Sequence, residues 1–392
     1  MPFSFNEKSS LLLVFFLHGL VFSVLLLRKG IIHKNTSNKW LSLLLFLYAM
    51  YLVPYMLGYA GWYSKKVTRE ILFFIPFMQV LLIGPVVLFY TKSLLNSSFR
   101  FSKKDWIHFV PGALYLIYSL VVFITDKLVL DEFYFYADGR DKDLANWYQA
   151  TGLASMFIYL GLCLRYYGRY KKLIFDKVSY ARSILFRWIQ NFMIAFLGIL
   201  ILRVLFFIFN PVWEEFGSQF WHYISFSLVF YYISISGYAN AVKVNALYDS
   251  NPRGDDVNVF SEDEEEHGNG KELQIEKDLE TWKDKMNTLI LEKKIYENPK
   301  LTLSEVAKEL NTTTRNVSYV VNAGFQMNFN DFVNHHRIEA VKEKLQQGEH
   351  YTTTLLGIAF DCGFNSKATF NRAFKKSTSL SPKDYLEKVS DK

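Results

Sequence analysis

Residues 361–377 read DCGFNSKATFNRAFKKS. Phe370 and Phe374 recur four apart, the spacing of one buried face of a helix, which turns Lys367, Thr369, Asn371, Arg372 and Lys375 the other way. Ammonium, guanidinium, amide and hydroxyl donors gathered on one short helix suit phosphate oxygens and base edges. Lys376 adds a phosphate-type contact beside them. This is recognition chemistry rather than bond-breaking chemistry. A solvated surface helix can carry the same residue types, so the device that presents them matters.

That device occurs twice. In LLGIAFDCGFNSKATFNRAFKK, the small Ala359 lets two helices cross, the turn residue Gly363 follows four positions later, and Asn365 or Ser366 can cap the next helix. In LTLSEVAKELNTTTRNVSYVVN, residues 301–322, Ala307 and Asn311 stand at the same spacing. Apolar Leu303, Val306 and Leu310 precede this turn, and Val317, Val320 and Val321 follow it. A longer helix from about Asn330 to Gln347, with the apolar stripe Phe332, Val333, Ile338, Val341 and Leu345, joins the two units. The expectation is a soluble all-helical domain over 273–392 with helix-turn-helix motifs at about 303–322 and 355–376.

At this point the sequence resembles the DNA-binding domain of the AraC/XylS family of bacterial transcription regulators. The resemblance spans about residues 285–388 and is strongest in IAFDCGFNSKATFNRAFKKSTSLSPKDYL, with NFNDFVNHHRIEAVKEKL fitting the family's connecting helix. It implies recognition helices at about 313–322 and 366–376 reading neighbouring major-groove segments of promoter DNA. The DNA-contacting residues expected from it are Arg315, Asn316 and Tyr319 on the first helix, and Lys367, Thr369, Asn371, Arg372, Lys375 and Lys376 on the second. Ser379 departs from the glycine the family usually has after the last recognition helix, a change that costs stability but leaves the DNA face alone.

The remainder of the chain has another composition. Of 392 residues, 51% are hydrophobic and 18% aromatic, and nearly all the long apolar runs precede residue 245. A spanning helix needs about 20 mostly apolar residues. Seven stretches qualify, at about 9–27, 40–60, 71–94, 106–125, 149–167, 188–210 and 220–240. The loops at 28–39, 95–105 and 165–187 hold 14 Lys and Arg, whereas the N-terminus and the loops at 61–70, 126–148 and 211–219 hold seven. Positive residues collect on the cytoplasmic side. The expected fold is therefore all-α, a seven-helix transmembrane bundle over 1–245 with its N-terminus outside the inner membrane, followed by a cytoplasmic helical domain.

Two residues inside the spans invite a ligand or coupling role. Arg203 is either an intramembrane site or a side chain snorkelling outward, and His18 is a hydrogen-bonded packing residue or a site. Pro54, Pro76 and Pro85 are expected to kink their helices. No HExxH, GxSxG or P-loop pattern occurs, and the span interiors hold no carboxylate, so neither enzyme nor proton-coupled carrier has a sequence signature. The cysteines Cys163 and Cys362 make a disulfide framework impossible to build and a metal site implausible, and no cofactor is expected.

Between the halves, residues 246–272 read as an acidic flexible linker; 249–266 carry eight acidic residues against Arg253 alone. The domain over 271–392 has 19 Lys and Arg against 17 Asp and Glu, so its phosphate contacts must be local. Expected partners are promoter DNA, the lipid bilayer, an unknown signal ligand and a second copy of the chain in a homodimer. The functional expectation is a membrane-embedded one-component transcription regulator whose membrane half senses a signal. The alternatives are a transporter or membrane enzyme fused to its own regulator, and a passively anchored transcription factor.

Overall fold

The computed structural model describes residues 5–96, 99–181, 187–209, 216–250 and 278–390. Most of the expected linker, from 251 onward, lies outside the described residues. Every regular element among them is helical, apart from one isolated antiparallel bridge between Val178 and Thr302. Two compact units form. The first joins Met1–Tyr167 with Phe186–Val257, and the second joins Gly168–Leu185 with Asn258–Lys392.

The first unit contains α1 (Glu7–Ile32), α2 (Thr36–Tyr59), α3 (Lys66–Phe74), α4 (Val80–Leu95), α5 (Val110–Phe123), the first part of α6 (Asn146–Lys177), α7 (Arg187–Phe209) and α8 (Phe216–Ser250). Asn6 starts α1 by accepting from the Ser9 amide, and Asn35 starts α2 by accepting from the Asn38 amide. Such caps satisfy amides that have no intrahelical partner. Helix α2 is the buried centre, with Leu41, Leu44, Leu45, Tyr48, Leu52 and Tyr55 all enclosed. Gly19 lets α1 approach α8, since a Cβ there would stand 2.3 Å from the Phe230 ring.

Among the described residues, four helical stretches are long and apolar enough to cross a membrane: α1, α2, the run Lys103–Val129 that contains α5, and α7. The sequence expects seven. Its third span, 71–94, is broken, because Pro76 lacks an amide hydrogen and disfavours helical backbone at the residue before it. Ile75 accordingly has φ −99° and ψ 111°, α3 stops at Phe74, and α4 is a 16-residue apolar helix. Helix α6 has 32 residues, but Arg165, Arg169, Lys171 and Lys172 crowd its second half, while serines, tyrosines and His222 dilute the 35-residue α8. Pro54 and Pro85 sit inside α2 and α4 without ending them. Outward faces are apolar: Val14, Val21 and Val24 on α1, Leu114 and Ile117 on α5, and Ile194 and Ile201 on α7 are all exposed. Water disfavours such faces and hydrocarbon does not.

The second unit contains α9 (Leu279–Glu292), α10 (Leu303–Glu309), α11 (Thr314–Tyr319), α12 (Phe329–Gln346), α13 (Leu355–Asp361), α14 (Lys367–Thr378) and α15 (Pro382–Ser390), together with residues 168–185. Helix α12 is its spine. The N-terminal half of α12 places Phe329, Phe332 and Val333 in one core with Met286, Ile290, Val306, Ala307, Val317 and Val321. Its C-terminal half places Ile338, Val341 and Leu345 in another with Ile358, Ala359, Phe370 and Phe374. Ala340 packs against both. One continuous helix thereby fixes the spacing of the two motifs.

Candidate nucleic-acid interface

The two motifs share one turn geometry. In the first, Thr302 caps α10 by accepting from the Glu305 amide and Glu305 returns a carboxylate to the Thr302 amide, a capping box. The turn that ends α10 has Asn311 at φ 50°, and the Thr312 amide donates to the Ala307 carbonyl at 2.9 Å. In the second, Gly363 takes φ 89° and the Phe364 amide donates to the Ala359 carbonyl at 3.1 Å. The left-handed residue thus stands four places after the small alanine in each, as the sequence spacing predicts. Asn and Gly are the residue types that enter that region most readily. Gly363 has a second constraint, because a Cβ there would lie 2.3 Å from the Tyr296 carbonyl oxygen.

After each turn comes a capped helix. Thr313 accepts from the Asn316 amide at 3.2 Å to start α11, and Ser366 accepts from the Thr369 amide at 3.2 Å to start α14. Of the two caps that the sequence allows for α14, Ser366 is the one used. The first recognition helix is shorter than the expected 313–322, since regular α-helix stops at Tyr319 and a π-turn carries the chain through Val320–Gly324. Helix α14 runs two residues past the expected 376 and stops at Ser379, whose φ of 62° is the left-handed cap that a glycine would occupy without strain.

Seven of the nine residues expected to contact DNA are exposed and two are not. Arg315 and Tyr319 on α11, and Lys367, Asn371, Arg372, Lys375 and Lys376 on α14, are exposed. Asn316 is buried, and its side-chain amide donates to Thr312 Oγ1 at 2.9 Å. Thr369 is buried, and its hydroxyl accepts from Ser366 Oγ at 2.9 Å. Both polar side chains hold helix starts together and face inward. Lys376 Nζ lies 2.6 Å from Asp331 in the first turn of α12, so a phosphate at Lys376 must compete with that carboxylate. Asp331 is the partner that sequence reasoning missed, because 45 residues separate the pair.

The resulting surface on α14 combines Lys367, Asn371, Arg372 and Lys375 at helical spacing, with Phe370 and Phe374 anchoring the opposite face. Asn371 and Arg372 have the planar amide and guanidinium geometry that pairs with adenine and guanine edges, and the lysines supply point charges for phosphate. Donors so arranged are chemically suited to nucleic acid.

In the first unit, the snorkelling alternative for Arg203 fails. Its side chain is buried, hydrogen-bonds Gln149 Oε1, lies 3.1 Å from His222 Nε2, and stands over the Tyr51 ring. It thereby ties α7 to α2, α6 and α8. His18 is partly buried, 2.5 Å from Ser234 Oγ, between the rings of Phe22 and Tyr231.

Comparison with known proteins agrees with the geometry of the second unit. Residues 306–388 match the family model described as a helix-turn-helix domain. No curated protein and no solved structure matches the chain.

Proposed function

We propose that this chain is a membrane-embedded, one-component transcription regulator: a sequence-specific DNA-binding unit carried by a multispan helical unit that senses a signal. DNA binding rests on one observation above the others, the repeated helix-turn-helix geometry with a donor-rich face on α14, within residues matched by the helix-turn-helix model.

The membrane reading is supported by the four long apolar helices and their apolar outer faces. Seven crossings accommodate the charge distribution if α4, α6 and α8 also span, with α4 short and entered through the break at Pro76. This places the N-terminus outside and the DNA-binding unit in the cytoplasm, in the inner membrane. Residues 168–185 belong to the same compact unit as 258–392 and must share a compartment with it. Only an even number of crossings between them permits this, and α7 and α8 supply two.

Sensing, rather than passive anchorage, is favoured by Arg203. A guanidinium enclosed within apolar helices is costly, and such groups mark functional sites more often than plain packing needs them. Residues 246–272 act as an acidic spacer in this reading, and a homodimer would raise the effective concentration of a second DNA-binding unit.

The test is selection from a random-sequence DNA pool by the purified full chain reconstituted in lipid discs. A recurring motif, with binding that weakens as salt rises, is expected. A pool left unchanged after successive rounds contradicts the reading.

A further inference from the structure

Helix α12 carries a polar face as well as its apolar stripe. Asn330, Asn334 and Arg337 stand at i, i+4 and i+7, which aligns them along one side of a helix. All three are buried, and Arg337 is among the largest fully enclosed side chains of the chain. They form a ladder. Asn334 Nδ2 donates to Asn330 Oδ1 at 3.1 Å, and Arg337 Nη1 donates to Asn334 Oδ1 at 3.3 Å.

Both ends of this ladder meet the same residue, Ser179. At one end Asn330 Nδ2 donates to the Ser179 carbonyl at 2.5 Å and lies 3.4 Å from that of Val178. At the other, Arg337 Nη2 donates to Ser179 Oγ at 3.1 Å, while the same guanidinium holds the carbonyls of Asn298 at 2.7 Å and Tyr296 at 2.8 Å. A backbone contact completes the arrangement: the Ser179 amide donates to the Leu301 carbonyl at 3.0 Å, and Val178 pairs with Thr302 in the isolated bridge. Val178, Ser179 and Ala181 are fully enclosed. Without this segment, the Asn330 amide would lose both carbonyls that it serves inside a buried site, which costs more than a lost surface bond.

The segment lies one residue past the end of α6 at Lys177, whereas the receptor ladder lies about 150 residues further along the chain. Thr302, the bridge partner of Val178, is the cap of α10, the first helix of the first motif. Arg337 and Asn330 sit on the spine that spaces the two motifs. A displacement of residues 178–181 therefore pulls on the start of one motif and on the helix that sets the distance to the other.

We propose that residues 178–181 are a built-in docking segment for the DNA-binding unit, received by the Asn330, Asn334 and Arg337 ladder, through which movement at the end of α6 alters DNA affinity. This regulation rests on the DNA-binding function proposed above. It supplies a route from the membrane half that is independent of the acidic linker.

The test uses the full chain in lipid discs. A photocrosslinking phenylalanine analogue in place of Tyr180 is expected to join peptides from 296–302 or 328–339; adducts only with lipid or with residues before 168 overturn the docking. Ser179→Pro removes the amide that Leu301 accepts from, and Ser179→Ala removes only the hydroxyl bound by Arg337. Titration of each with a DNA fragment enriched by the unaltered chain should show Ser179→Pro shifted by about fivefold or more, with Ser179→Ala shifted in the same direction by less. Affinities within about twofold of the unaltered chain for both variants overturn the coupling. Should Ser179→Pro not accumulate, Ser179→Ala decides alone, by a reproducible shift or none. If the unaltered chain enriches no DNA, the DNA-binding function fails while the crosslink still decides the docking.

Discussion

Arg372 and Asn371 occupy the exposed face of α14, opposite the buried Phe370 and Phe374. Replacing either with alanine should weaken specific binding by about 1–3 kcal/mol and relax the preference at the base it reads. Thr369→Ala should behave differently. Its hydroxyl is buried at the start of α14, so the variant should lose helix stability and keep its sequence preference, as measured by amide exchange and competition binding in parallel. The distinction was not legible in the sequence. Thr369 stands two residues before Asn371, and only the packing of Phe370 and Phe374 decides which polar neighbours turn inward. Asn316 is the same case, because the turn that brings Thr312 Oγ1 to its amide is set by a hydrogen bond to Ala307 that the sequence does not display. Arg203 was half legible. Its presence in an apolar helix marked it, but the rotation of α7 that aims it at His222 and Gln149 is a tertiary outcome.

At the scale of elements, the turns are the most legible feature, since small residue and turn residue lie four apart within one local bond pattern. Gly363 bears the heaviest demand. A side chain there meets the left-handed backbone cost of about 1–2 kcal/mol and the Tyr296 carbonyl besides, so Gly363→Ala should destabilise the second motif by at least about 2 kcal/mol. Exchange of amides in α13 and α14 of the full chain would show it; unchanged protection would mean that the turn tolerates a Cβ. The long apolar helices are less legible. Hydropathy alone joins residues 71–94 and Pro76 predicts only a kink there; a proline with an extended residue before it and a short apolar helix after it makes a break. Topology tests the crossing pattern. Reporter fusions after Lys34, Lys103 and Lys172 should read cytoplasm and a fusion at Gly139 should read outside, as the 14 to seven division of positive residues requires. An outward signal at Lys172 would break the crossing pattern and also separate residues 168–185 from the unit with which they pack.

For the whole molecule, composition divides the chain near residue 245, but packing divides it elsewhere. Residues 168–185 lie within the apolar half of the sequence and belong to the C-terminal unit, held by bonds that span more than 120 residues. No local pattern announces such a contact, and the seven positive charges at 165–187 suggested only a cytoplasmic loop. The central claim is that a chain fixed in the membrane reads DNA. It is tested most directly by mapping the genomic DNA crosslinked to the full chain recovered from the membrane fraction, beside a chain carrying Arg372→Ala and Asn371→Ala together. The account predicts a discrete set of sites sharing a motif, lost in the double variant while the protein stays in the membrane at the same level. Recovery of no site above background, or of the same sites by the double variant, would contradict it.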